Sequence, residues 1–150
     1  MIALLNSQIT RLLIEVTSRQ LTGAQTIADV DVKVWENVLI PNPSIITGDI
    51  EEILLQNLGE LSQREIQGVF SELGFGKCKI HNCKNPDHPY ETINPDIFNS
   101  FEGLTQVSLD RLILDLSICD SIQLSKDDLK EILIAVTSII KHKSIKSMSV

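Results

Sequence analysis

One short stretch limits what this chain can build. Val30, Val32 and Val34 alternate with Asp29, Asp31 and Lys33, which is the two-residue period of a half-buried strand, and Trp35 closes it. Elsewhere the apolar spacing is helical. A lone strand leaves its backbone N–H and C=O groups without partners, so it must pair, and this sequence offers little to pair with. The expected fold class is therefore mainly α with a small β element: about five helices and one clear strand, with the strand's partner in a part of the protein preceding this chain.

The helical expectation rests on apolar stripes and caps. Leu5, Ile9, Leu12, Leu13 and Val16 fall on one face of a helix over residues 3–20. Thr22-Gly23 punctuates it, and after Val38-Leu39-Ile40 the prolines of Pro41-Asn42-Pro43 end regular structure and hold the chain extended. A second helix is expected from Asp49 to Leu58, with Ile50, Ile53, Leu54 and Leu58 inward. A third starts at Ser62, where Ser62-Gln63-Arg64-Glu65 fits a capping box; its stripe is Ile66, Val69, Phe70 and Leu73, and Gly74 stops it. Helix four begins near Ser108, with Leu109, Leu112, Ile113 and Leu116 inward. Ser125-Lys126-Asp127-Asp128 then caps a last helix carrying Leu129, Ile132, Leu133, Val136, Ile139 and Ile140. This divides the chain into a helix–strand–proline segment (1–44), an acidic helical pair (45–74), a Cys/His/Pro-rich loop (75–106) and a helical tail (107–150).

The chain has 150 residues, 43% of them hydrophobic and 22% charged, which suits a folded domain and excludes a disordered tail. No apolar run approaches the roughly 20 residues that span a bilayer, so no membrane partner is expected. The start, Met1 to Glu15, meets a charge at Arg11 and has no small-residue cleavage site, so it does not read as a secretion signal. With an odd cysteine among three, this points to a reducing cytoplasm. Cys119, near the end of an apolar stripe, reads as a small core residue.

Thirteen Lys+Arg against 20 Asp+Glu leave a net charge of −7, which argues against nucleic-acid binding by bulk electrostatics. The charge is uneven. Six acids between Asp49 and Glu72 accompany a single base, Arg64, and read as a solvated face. Two sets of three lysines, at 77, 79 and 84 and at 141, 143 and 146, suit either helix C-termini or phosphate. Gly74-Phe75-Gly76-Lys77 lacks the spacing and the following Ser/Thr of a phosphate loop, and neither H-E-x-x-H nor G-x-S-x-G occurs.

Two segments carry a family resemblance. Leu5-Asn6-Ser7, Leu21-Thr22-Gly23-Ala24-Gln25-Thr26-Ile27 and Val30-Asp31-Val32-Lys33-Val34-Trp35-Glu36-Asn37-Val38-Leu39-Ile40-Pro41-Asn42-Pro43 resemble, in order, the helix, glycine turn, strand and proline exit that end the target-recognition domain of adenine-specific DNA methyltransferases from restriction–modification systems. Ser108-Leu109-Asp110-Arg111-Leu112-Ile113-Leu114-Asp115 and Leu124-Ser125-Lys126-Asp127-Asp128-Leu129-Lys130-Glu131 resemble the C-terminal tail of the same enzymes. The resemblance covers roughly residues 4–44 and 107–150. It implies a part in recognising DNA for methylation of adenine by S-adenosylmethionine. That chemistry uses a cofactor-binding glycine motif and N-P-P-Y/F. Here Pro41-Asn42-Pro43-Ser44, Asn85-Pro86-Asp87-His88 and Asn94-Pro95-Asp96-Ile97 all lack the second proline and the aromatic. The chain is thus expected to be a C-terminal fragment without the catalytic domain, inactive alone, with S-adenosylmethionine belonging to the parent enzyme. Thr22, Gln25 and Thr26 are the best candidates for DNA contact, because an amide can read adenine's edge and hydroxyls bind phosphate; they also suit an ordinary polar turn. Alternatives are a restriction-system DNA-specificity subunit, whose recognition domains end in a similar pattern, and a small helical interaction module with a zinc-stabilised loop and no DNA role.

The 75–106 stretch lies outside the resemblance. Cys78, His81, Cys83 and His88 form C-x2-H-x-C-x4-H, four ligands within 11 residues, a Cys2His2 set for tetrahedral zinc. Lys77, Lys79 and Lys84 favour the thiolates. Three prolines, at 86, 89 and 95, equally suit an extended loop without metal. The zinc reading predicts about one equivalent in purified, never-chelated protein. A zinc content near zero by elemental analysis ends it.

Overall fold

Asn6 and Ser7, two cap-forming residues, break what the apolar spacing reads as one helix over 3–20. A computed structural model of the chain describes residues 2–20, 28–29, 32, 36, 42–46, 48–65, 67–75, 90 and 92–148. The Asn6 amide donates to the Ile2 carbonyl at 3.0 Å and ends α1 (Ile2–Leu5). Ser7 turns extended, at φ −75° and ψ 155°, and its hydroxyl accepts from the Thr10 N–H, so that α2 (Gln8–Thr17) begins anew. The Ser7 and Thr10 hydroxyls both donate back to the Leu4 carbonyl, at 2.8 and 2.7 Å. Part of the expected stripe is on the surface: Leu5 and Val16 are exposed, and the buried residues of α2 are Gln8 and Thr10.

Among the described residues the strand expected over residues 30–35 is not seen, and Val30, Asp31, Lys33, Val34 and Trp35 lie outside them. Val32 and Glu36, the described residues at that stretch and its edge, are helical. Alternation of Val with Asp and Lys is a weak strand signal when no neighbouring strand is available to take its hydrogen bonds. Extended pairing among the described residues is confined to two residues each of β1 (Arg19–Gln20) and β2 (Ala28–Asp29), antiparallel with Arg19 opposite Asp29. The fold is mainly helical.

Pro43–Ile45 forms a 3-10 turn rather than extended chain, held by the Ser44 N–H on the Asn42 side-chain oxygen at 3.0 Å. Then α3 (Asp49–Gln63) runs past its expected end at Leu58. The Ser62 capping box does not form: the Ser62 hydroxyl donates to the Gly59 carbonyl inside α3, and the chain leaves the helix at Arg64. The expected third helix shrinks to α4 (Val69–Glu72). Gly74 stops it as foreseen, in the left-handed region at φ +88°, with the Phe75 N–H reaching back to the Phe70 carbonyl at 2.9 Å.

The 75–106 stretch, expected to be irregular, supplies core. Asn94 caps a 3-10 turn over Pro95–Asn99, and Ser100 caps the single turn α5 (Phe101–Leu104). These short elements bury Ile93, Phe98 and Leu104. Helix α6 (Leu109–Ser121) follows with Leu114, Asp115, Ile118 and Cys119 inside; Leu109, expected inward, is exposed. Its end is a left-handed cap on Gln123, with the Leu124 N–H on the Cys119 carbonyl at 2.8 Å. The Ser125 box does form: the Ser125 N–H donates to Asp128 Oδ2 and the Asp128 N–H to Ser125 Oγ. It opens α7 (Lys126–Met148).

Helix α6 is central. One of its faces joins Leu73, Phe98, Leu104, Val107, Leu129 and Leu133 through Cys119; another joins Ala3, Leu4 and Leu54 through Leu114 and Ile118. A helix apolar on opposite sides has to be covered on both. Here α3 and α1 cover one side, while α7 and the 95–104 turns cover the other. No helix among the described residues is long and apolar enough to cross a membrane.

The close fit of the short turns is testable at glycine. A Cβ at Gly103 would collide with the Ile97 carbonyl, whereas one at Gly59, inside α3, meets nothing. Gly103→Ala is expected to cost about 1–3 kcal/mol through overpacking, and Gly59→Ala to stabilise by about 0.5–1 kcal/mol, in denaturant unfolding. Equal effects at the two sites would contradict this packing.

Candidate functional site

The charged residues gather where α6 begins. Arg64, leaving α3, hydrogen-bonds through Nε to Asp110 Oδ2 and through Nη2 to Glu72 Oε1 at 3.0 Å. Arg111 takes the other Glu72 oxygen, with Nε–Oε2 at 2.9 Å and Nη2–Oε2 at 2.8 Å, and its Nη1 donates to the Asn6 carbonyl. Glu72 is therefore buried between two arginines and is not part of a solvated acidic face. Its double partnership meets the requirement that a desolvated carboxylate be paired and hydrogen-bonded. For Asp110, burial works against ionisation, but the Arg64 and Arg111 contacts outweigh it and hold the carboxyl below its usual range.

One turn along α6, Asp115 is 1% exposed, and its Oδ1 accepts from the Gln8 N–H at 2.8 Å. That N–H is one of the orphan donors at the start of α2, where a carboxylate also meets the positive end of the helix dipole. Burial nonetheless pushes the Asp115 pKa up to about 7, against the lowering effects of the Gln8 hydrogen bond and the Arg111 charge. Asp115 Oδ2 and the Gln8 side-chain oxygen, both buried, have no hydrogen-bond partner among the described residues.

Beside this network lies a cleft of about 330 Å³ lined by Leu5, Asn6, Ser7, Gln8, Arg11, Ile14, Glu15 and Arg111. Burial lowers the Arg11 pKa despite nearby Glu15. Glu15 is taken by Lys143 of α7, at 2.6 Å from its carboxylate and 3.2 Å from its carbonyl. Lys141 donates to the Ile93 carbonyl at 2.7 Å. Two of the three tail lysines thus serve internal contacts, and the side chain of Lys146 lies outside the described residues. The arrangement binds elements to one another; no nucleophile in it is paired with a general base.

Of the residues singled out from the sequence, Thr22, Gln25, Thr26, Cys78, His81, Cys83 and His88 all lie outside the described residues, as do Lys77, Lys79 and Lys84. Among the described residues no cluster of three or more His, Cys, Asp or Glu could hold a metal. Cys119 is buried as expected, and burial raises its thiol to about 11, so it stays protonated. The ionic cluster was not foreseen, although two signals point to it. Arg64 is the only base in an acidic run, and Asp115 is a lone acid between Leu114 and the Ile118-Cys119 pair on an otherwise apolar face.

No protein-family model, curated protein or solved structure matches this chain.

The buried carboxylate gives stability a specific pH dependence. With a folded pKa near 7 and an unfolded value of about 3.9, Asp115 holds its proton more tightly in the folded state. Its contribution is complete below about pH 4 and is lost as pH rises towards 7. Asp115→Asn, which keeps an acceptor for the Gln8 N–H, is expected to flatten this segment of the stability–pH curve measured by urea unfolding. Asp115→Ala, which leaves that N–H bare, should cost about 1–3 kcal/mol at all pH values. An unchanged pH profile in Asp115→Asn would refute the assignment.

Proposed function

We propose that the chain is the C-terminal helical part of a restriction–modification adenine-specific DNA methyltransferase. In this reading it supports DNA target recognition, and S-adenosylmethionine and the methyl-transfer step belong to the catalytic domain of the parent enzyme. The observation that favours it is where the two resembling segments meet. Asn6 and Gln8, at the Leu5-Asn6-Ser7 signature, receive Arg111 and Asp115 of the tail segment, more than 100 residues away in sequence. Motif residues that are individually loose thus share one joint, as expected of segments that occur together as a docking unit. Thr22, Gln25 and Thr26 keep their proposed place at the DNA, and Cys78, His81, Cys83 and His88 theirs as a zinc staple. The site of action in this reading is the cytoplasm.

The net charge of −7 and the internal use of Lys141 and Lys143 favour a supporting role over an independent grip on phosphate. At low salt the isolated chain is expected to bind duplex DNA weakly and without sequence preference. Selection from a random-sequence duplex pool followed by sequencing checks this, and recovery of one tightly bound motif would overturn the supporting role. The DNA immediately upstream of the Met1 codon is expected to encode N-P-P-Y/F and a cofactor-binding motif, in frame or frame-shifted. Unrelated upstream sequence would overturn the family reading.

A further inference from the structure

A second surface lies apart from the ionic cluster, between α1 and α3. Ile2, Leu4, Ile46, Leu54, Leu55 and Leu58 line an open groove of about 320 Å³ whose surface is mainly apolar. Leu4 and Leu54 form its buried floor, while Ile2 and Leu55, each 63% exposed, stand at its sides. Ile45, in the 3-10 turn before α3, and Ile53, on α3, are also exposed. Aliphatic residues scattered singly over a surface need no explanation, but a set that converges on one concave site marks an interaction surface.

The shape and charge of the groove define its occupant. Glu51, Leu54, Leu55 and Leu58 are spaced i, i+3, i+4 and i+7 along α3, so they present one continuous stripe parallel to the helix axis. A stripe of this kind, walled by a second helix, suits a partner helix that inserts apolar side chains at the same spacing. Its rim is acidic: Asp49, Glu51 and Glu52 occupy the first turn of α3, all exposed, and Glu51 lines the groove itself. There is no Lys or Arg from Asp49 to Gln63, and Arg64 is engaged by Asp110 and Glu72. None of the three rim carboxylates has an ion-pair partner among the described residues, so nothing in this part of the chain neutralises them. A second copy meeting this groove about a two-fold axis would set the same carboxylates against each other, and an anionic lipid surface would be repelled likewise.

We propose that the α1–α3 groove docks a basic amphipathic helix of a partner chain, apolar on its inserted face and bearing Lys or Arg opposite Asp49, Glu51 and Glu52. The inference stands on the groove and its charge, and it does not rest on the methyltransferase reading.

Fluorescence anisotropy with the full chain tests it. The probe is a labelled peptide of about 18 residues, or five helical turns, with leucine at i, i+3, i+4 and i+7 and lysine elsewhere. Its controls are a scrambled version of the same composition and a version with glutamate in place of lysine. The patterned Leu–Lys peptide is expected to bind, the Leu–Glu peptide not to bind, and the scrambled peptide to bind far more weakly. Leu55→Asp and, separately, Ile2→Asp should each weaken binding of the patterned peptide at least about tenfold, as truncation of a central anchor does. Both side chains are largely exposed, so thermal unfolding should be nearly unchanged in at least one of the two variants. Glu51→Lys with Glu52→Lys should also reduce binding. Equal binding of patterned and scrambled peptides would reveal only bulk charge attraction and overturn the proposal. So would wild-type affinity in both Asp variants. A dimer seen by light scattering that Leu55→Asp dissolves would overturn it in favour of self-association.

Discussion

Helix α2 can start where it does because Asp115 receives its first N–H. Helix starts carry donors that nothing within the helix can satisfy, and here the acceptor comes from a helix more than 100 residues later in the chain. The same α6 helix extends Arg111, one turn earlier, to the carbonyl of Asn6, so the α1–α2 corner is held through both an N–H and a C=O. Arg111 also grips Glu72, and Glu72 grips Arg64, which returns to Asp110 on α6. One line of charges, with Glu72 buried and Arg64, Asp110 and Arg111 half-buried, thus fastens the first corner of the chain, the end of α3 and the end of α4 to a single helix. Glu72 is buried at the cost of its hydration, so losing an arginine partner leaves it undercompensated.

This arrangement also explains why the apolar core has two lobes. Helix α6 offers Leu114 and Ile118 to α1 and α3, and Cys119 to α7 and the Phe98 turn. Leu112 and Leu116 pack half-buried against the second of these lobes. The polar line sits at the N-terminal half of α6 and the cap on Gln123 at its other end, so both the start and the stop of the helix are fixed by contacts. The lysines of α7 reinforce the same assembly, Lys143 through Glu15 and Lys141 through Ile93.

Local features of the sequence were legible where their partners were also local. The Ser125–Asp128 box closes on itself within four residues, and Gly74 turns left-handed at the end of α4. The inward positions Leu129, Leu133 and Val136 follow from helical spacing alone. Ser62 shows the opposite case. Its box has the correct residues, but α3 runs on through Ser62 to Gln63 and the Ser62 hydroxyl is spent on the Gly59 carbonyl. The Val30–Val34 alternation likewise promised a strand, whereas Val32, the described residue within it, is helical. In the 75–106 stretch, prolines and cap residues hid two short turns, and Phe98 and Leu104 are core residues without any helical stripe to announce them.

The sequence by itself determined the helical character of the chain and the stops and starts set by self-contained caps. Tertiary structure alone decided which charges are buried and with whom. A carboxylate such as Asp115 carries no mark in the sequence that says whether water or a helix N-terminus will face it. That depends on which surfaces the apolar stripes bring together, and only after they meet do desolvation and the Gln8 N–H set its protonation. The same holds for the groove beside Leu55, an ordinary helical leucine in sequence that is left exposed because α1 covers only part of the α3 stripe.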